Sequence, residues 1–243
     1  MTTELQPSNT WLEVIDLESM PYLEALEFQR SRHAEVLQAR ETGQQRGYLL
    51  FVEHDPPVVT VSRRPGAAGH VLAGEAALAR VGIERVETDR GGDVTYHGPG
   101  QLVAYPIIDL NGLGLRIHGY VRLLEQAAID TCGVFGLQAE RDPGATGVWV
   151  DRPTSSEDGV GGRKIAAIGV RVSRWITMHG LSLNVDPDMS HYQHIVPCGL
   201  HDRGVTSMAR ELDTPKNMAE VKAVFEERFR RLVDDPSPFR RRD

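Results

Sequence analysis

The chain has 243 residues, 40% of them hydrophobic and 25% charged, and a net charge of −7. That composition fits a globular chain with one large core, and the acidic balance excludes a general nucleic-acid binder, which would carry a basic stripe. Two cysteines, Cys132 and Cys198, form no disulfide framework and point to a cytoplasmic setting, and no apolar run approaches the ~18 residues that cross a bilayer, so no membrane partner is expected.

Residues 1–10 are polar and are expected to be a loose tail. The alternation in TWLEVIDLE (10–18) predicts a strand. Pro21 suits a first helical turn. Residues 22–43 then place Tyr22, Ala25, Leu26, Gln29, His33, Val36 and Leu37 on one helical face, with Gly43 as the stop. GYLLFVEH (47–54) predicts a buried strand and VVTVS (58–62) another. A short helix over 73–82 and a strand over 83–88 lead into RGGDVTYHGPGQ (90–101). Beyond it come a strand over 102–110, where Pro106 predicts a bulge or an edge, and a helix over 119–136 ending at glycine. A strand over 146–151, a polar glycine-rich tip over 152–162, and two paired strands over 164–174 and 175–185 follow. The last element is an amphipathic helix over 217–233, with a loose charged tail at 234–243. Strands outnumber helices and cluster instead of alternating with them. This predicts an α+β (mixed α/β) single domain over 11–233. No G-x-G-x-x-G opens a helix after a strand, so a doubly wound nucleotide fold is not expected.

Four glycines and a proline within residues 90–101 exclude an ordinary helix or a core strand there. The stretch reads as a ligand loop. Glycines let backbone N–H groups approach a ligand, Arg90 can anchor a polar group, and Tyr96 and His97 can line a pocket. Cys198, flanked by Pro197 and Gly199 with His194 and His201 nearby, is either a nucleophile or an inert loop thiol. Cys132, in a helix among Ala128, Ile129, Val134 and Phe135, reads as a small core residue. Lys164 opens an apolar strand and is either a solvated strand end or a partner for a thiolate. His191-x-x-His194 has a zinc-compatible spacing, but no C-x-x-C or H-E-x-x-H accompanies it.

Four stretches occur together in order: RGGDVTYHGPGQLVAYPIIDL (90–110), GRKIAAIGVRV (162–172), HGLSLNV (179–185) and PCGL (197–200). With them the chain, over roughly 11–233, resembles the lipoyl(octanoyl) transferases. The resemblance implies the fold shared by biotin and lipoate protein ligases. It implies transfer of an octanoyl group from octanoyl-acyl carrier protein to a lysine of lipoyl domains, those of 2-oxoacid dehydrogenase complexes and the glycine cleavage H protein. It assigns Cys198 as acyl-thioester nucleophile and Lys164 as the group that activates it. The acyl pocket would be lined by Arg90, Gly91, Gly92, Asp93, Val94, Thr95, Tyr96, His97, Ala167, Ile168, Gly169, Gly180, Leu181 and Ser182. No metal and no cofactor are implied, because a thioester is already activated. The competing readings are an ATP-dependent lipoate or biotin ligase and a non-catalytic lipoyl-domain binding module. The first would label its acceptor from free acid and ATP, and the second would form no acyl-enzyme.

Overall fold

Near-continuous apolar sequence and simple alternation together build the main sheet of the computed structural model, which describes residues 10–150, 162–197 and 203–240. Strand β2 (Gly47–His54) is buried almost throughout. Helices cover both of its sides, so both sets of alternating side chains must be apolar. Leu49 and Phe51 pack in the cluster formed with α4 (Ile117–Val134) and α6 (Met218–Asp234), while Tyr48, Leu50 and Val52 pack in the cluster formed with α1 (Tyr22–Glu41). Helix α1 buries Tyr22, Ala25, Leu26, Gln29, His33, Val36 and Ala39, the face that its sequence periodicity marks. Cys132 lies in α4 inside the first cluster, and burial pushes its thiol up to about 12, as fits an inert core residue.

Among the described residues, the main sheet runs β1 (Leu12–Met20), β2, β6 (Gln101–Ile107), β10 (Ile176–Asn184), β9 (Arg163–Ser173), β8 (Val148–Val150) and β7 (Glu140–Arg141), with β11 (Gly204–Val205) pairing in parallel with β9. The β9–β10 hairpin turns on Arg174 and Trp175, whose φ values of 52° and 64° are both left-handed. That geometry matches the twist of a tight hairpin, although no Asn-Gly signals it. A smaller sheet, β4 (Glu84–Thr88), β3 (Val58–Ser62) and β5 (Val94–His97), packs its apolar side on Leu78 of α2 (Glu75–Arg80) and on Met189, Tyr192 and Ile195. The expected α+β architecture is the one found.

Three local expectations change. The stretch over 90–101 is not loop throughout: Val94–His97 is a wholly buried strand paired antiparallel with β3. Its glycines stand outside the strand, and the strand itself, VTYH, is β-branched and aromatic. Pro106 lies in no edge strand, since β6 runs between β2 and β10. The β6–β10 ladder stops at Ala104, and Thr177 takes over, its hydroxyl donating to the Pro106 carbonyl at 2.7 Å and accepting from the Ile108 N–H at 3.0 Å. Residues 237–239, expected in a loose tail, form a turn of 3-10 helix, after which Arg240 Nε donates to the Leu113 carbonyl at 2.9 Å. The glycine-rich tip at 152–162 falls outside the described residues except for Gly162. No helix among the described residues is long and apolar enough to cross a membrane.

Candidate active site

A narrow slot opens between the two sheets. Its walls are Arg90, Gly92, Asp93, Val94, Thr95 and His97 on one side and Ala167, Ile168, Gly169, Gly180, Leu181 and Ser182 on the other, with Tyr22, Tyr105 and His179 completing the lining. Of the fourteen pocket positions implied by the resemblance, two stay out of the lining. Gly91 hydrogen-bonds across to β9, its N–H meeting the Val170 carbonyl at 2.9 Å, and the Tyr96 hydroxyl turns away to His191 Nδ1 at 2.8 Å.

Strand register explains why there is room for a slot. Ala167 pairs with Ser182 and Gly169 with Gly180, so four small residues share one face of the β9–β10 pair. Gly169 serves the loop directly: a Cβ there would meet the Gly91 carbonyl at 2.8 Å and Arg90 Cδ at 3.0 Å. Arg90 is spent on the protein itself. Its guanidinium donates to the Thr60 hydroxyl and carbonyl, to the Asp93 carbonyl at 2.9 Å and to the Gly91 carbonyl at 3.0 Å. It therefore shapes the glycine-rich loop from beneath.

The lining is polar in composition but close to neutral in charge. Burial drives His54, behind the slot, down to about 4 and holds His97 well below its ordinary value. His54 bonds the Tyr105 hydroxyl at 2.8 Å, and the Tyr22 hydroxyl bonds Thr88 at 2.8 Å; burial raises both tyrosines. His179 is lowered by burial despite its 3.0 Å contact with Asp89, which Arg171 also meets at 2.6 Å. Neutral imidazoles and phenols surround the slot.

Lys164 stands three residues upstream of Ala167 on β9 and is buried. Its Nζ donates to the Thr146 carbonyl at 3.1 Å. Gly147, at φ +127°, leaves space for its stem: a Cβ there would meet Lys164 Cε at 3.2 Å. Cys198 lies in 198–202, outside the described residues. Both flanks of that segment are fixed. Upstream, the Val196 N–H donates to the His70 carbonyl at 2.8 Å, beside the small sheet. Downstream, Val205 pairs with Lys164 and the Thr206 N–H donates to the Lys164 carbonyl at 3.0 Å. Among the described residues, no three His, Cys, Asp or Glu side chains converge as metal ligands would.

Tyr22, Tyr105 and His179 were not singled out as site residues by sequence. Tyr105 and His179 lie inside motifs that marked the site, LVAYPIIDL and HGLSLNV, so the signal was present beside the residues chosen. Tyr22 carries none: it opens a helix 68 residues before Arg90, and only tertiary packing brings it in.

Residues 21–230 match the model of the lipoyl protein ligase A/B catalytic domain. The chain is 48% identical over 213 residues to an octanoyltransferase of Solibacter usitatus, covering 88% of this chain and 89% of that one. It is 45% identical over 208 residues to an octanoyltransferase of Bacteroides fragilis, covering 85% and 91%. In three dimensions it resembles the bipartite lipoate protein ligase of Thermoplasma acidophilum, with a TM-score of 0.62 at 16% identity over 92% of each chain, a likeness of fold.

Proposed function

Since the chain belongs to the lipoyl protein ligase A/B catalytic-domain family, we propose that Cys198 and Lys164 carry its acyl group between two protein partners. The chain is an acyltransferase of the octanoyltransferase type, and it modifies lipoyl domains. The donor in this reading is octanoyl-acyl carrier protein. The acceptors are lysines on the lipoyl domains of 2-oxoacid dehydrogenase complexes and on the glycine cleavage H protein, and the setting is the cytoplasm.

One observation carries the reading. The chain enters the segment bearing Cys198 from the small-sheet side of the slot and leaves it alongside Lys164. The thiolate, held by the Lys164 ammonium, attacks the donor carbonyl; the new C–S bond forms and the carrier sulfur leaves, taking a proton from Lys164. Lys164, now an amine, accepts a proton from the acceptor lysine as its nitrogen attacks. The amide bond forms, the C–S bond to Cys198 breaks, and the ammonium–thiolate pair returns. The octanoyl chain lies in the slot, along Ala167, Ile168, Leu181 and Ser182 and opposite Val94 and Thr95. In this reading N–H groups of the loop and strand serve the carbonyl oxygen as it gathers charge.

The test compares acyl donors. Octanoyl-carrier thioester should label a lipoyl domain without ATP, while free octanoate with ATP should leave it unlabelled. Labelling from free octanoate and ATP alone would mean adenylation chemistry and refute the thioester route.

A further inference from the structure

We propose that Trp149 is a positioning residue for this reaction: its indole fixes the Lys164 amine and holds it beside Arg203. The proposal rests on the reading of Lys164 and Cys198 given above. Trp149 is wholly buried, yet among the described residues it belongs to none of the three apolar clusters. Its ring meets cations instead. Lys164 Nζ lies 4.7 Å from the ring centroid and the Arg203 guanidinium carbon 4.8 Å from it. Both are within the range where a ring quadrupole attracts a cation.

The strand register produces this arrangement. Trp149 pairs directly with Lys164 across the β8–β9 ladder, immediately after a register shift at Val148. Cross-strand partners share a face, so the indole and the amine stem must meet. The ring is held in turn, with its Nε1–H donating to the Ala145 carbonyl at 3.1 Å. Arg203 is the first described residue after 198–202, and buried Asp142 grips it at 2.6 Å. The indole thus gathers the amine and Arg203 on one rigid surface. A lysine head on a four-carbon stem has many positions, and the ring face together with the Thr146 carbonyl selects one.

The experiment reads the iodoacetamide alkylation rate of Cys198, mapped by peptide mass, across pH 6–9 in the full chain. Trp149→Leu is expected to slow alkylation at neutral pH by about fivefold or more, whereas Trp149→Phe keeps it within about twofold. Lys164→Met should produce the same loss, and adding W149L to K164M should slow it no further, because both act through one amine. Arg203→Met, at the rim, should slow alkylation without emptying the core, which keeps the proposal testable if W149L fails to fold. Wild-type alkylation in W149L or R203M, equal damage in W149F and W149L, or an additive loss in the double variant would overturn the proposal. Wild-type alkylation in K164M would instead remove the Lys164 reading, and this proposal with it.

Discussion

At the scale of single residues, the most informative one is Arg90. Sequence places a guanidinium among glycines, which reads as a hook for a ligand. The structure turns its donors onto Thr60, Gly91 and Asp93. Arg90→Met should therefore cost stability, on the order of 3 kcal/mol, because buried acceptors lose a charged donor. Denaturant unfolding measures this. Unchanged stability with lost octanoyl binding would show that Arg90 faces the substrate after all. Cys132 makes the opposite case, legible in full from its apolar helical neighbours and found in the core.

At the scale of elements, the slot depends on how closely strands approach one another. A Cβ on Gly180 would run into the Ala104 carbonyl and come within 2.9 Å of Pro106 Cδ, both on the neighbouring strand. Gly180→Ala should destabilise the chain by about 1–3 kcal/mol through overpacking. Gly112→Ala meets nothing within 4 Å and should stay within about 1 kcal/mol of the parent. Thermal melts of the two variants decide it, and equal behaviour would contradict the close approach. The same close packing shows what sequence could and could not reveal. Periodicity drew α1 and its buried face, and apolar runs drew β2, β3, β9 and β10, because burial on a helix face or sheet face is a local pattern. The strand Val94–His97 was hidden because the flanking glycines dominate its neighbourhood, while its pairing with β3 is a tertiary fact. The short strands β7 and β11 carry too few residues for any pattern, yet β11 is what returns the chain to Lys164.

Across the whole molecule, two sheets meet over histidine rings whose burial disfavours their protonation. His54 binds its proton near pH 4 in the fold and near 6.5 when unfolded. A depressed histidine contributes stability that is complete above pH 6.5 and lost as pH falls toward 4, since the unfolded chain then binds the proton more readily. That one group amounts to about 3 kcal/mol, and His97 and His179 act in the same direction. Urea unfolding at pH 7 and pH 5 should show the loss, and His54→Gln should reduce it. Equal stability of the parent chain at the two pH values would contradict this electrostatic account. The family resemblance pointed to the partnership of the glycine-rich stretch with Ala167–Gly169 and Gly180–Ser182, and the fold brings these segments to one slot. What sequence could not supply is distance: Lys164 lies 63 residues beyond Gln101, and only the pairing of β9 with β8, β10 and β11 decides what stands beside it.

Intact-mass spectrometry after incubation with octanoyl-carrier protein, without acceptor, tests most directly for a covalent octanoyl group on Cys198. A single octanoyl increment that maps to Cys198, disappears in Cys198→Ala and is discharged by a lipoyl domain is the predicted result. An unmodified chain that still transfers octanoyl to the acceptor, or full transfer by Cys198→Ala, would contradict the account.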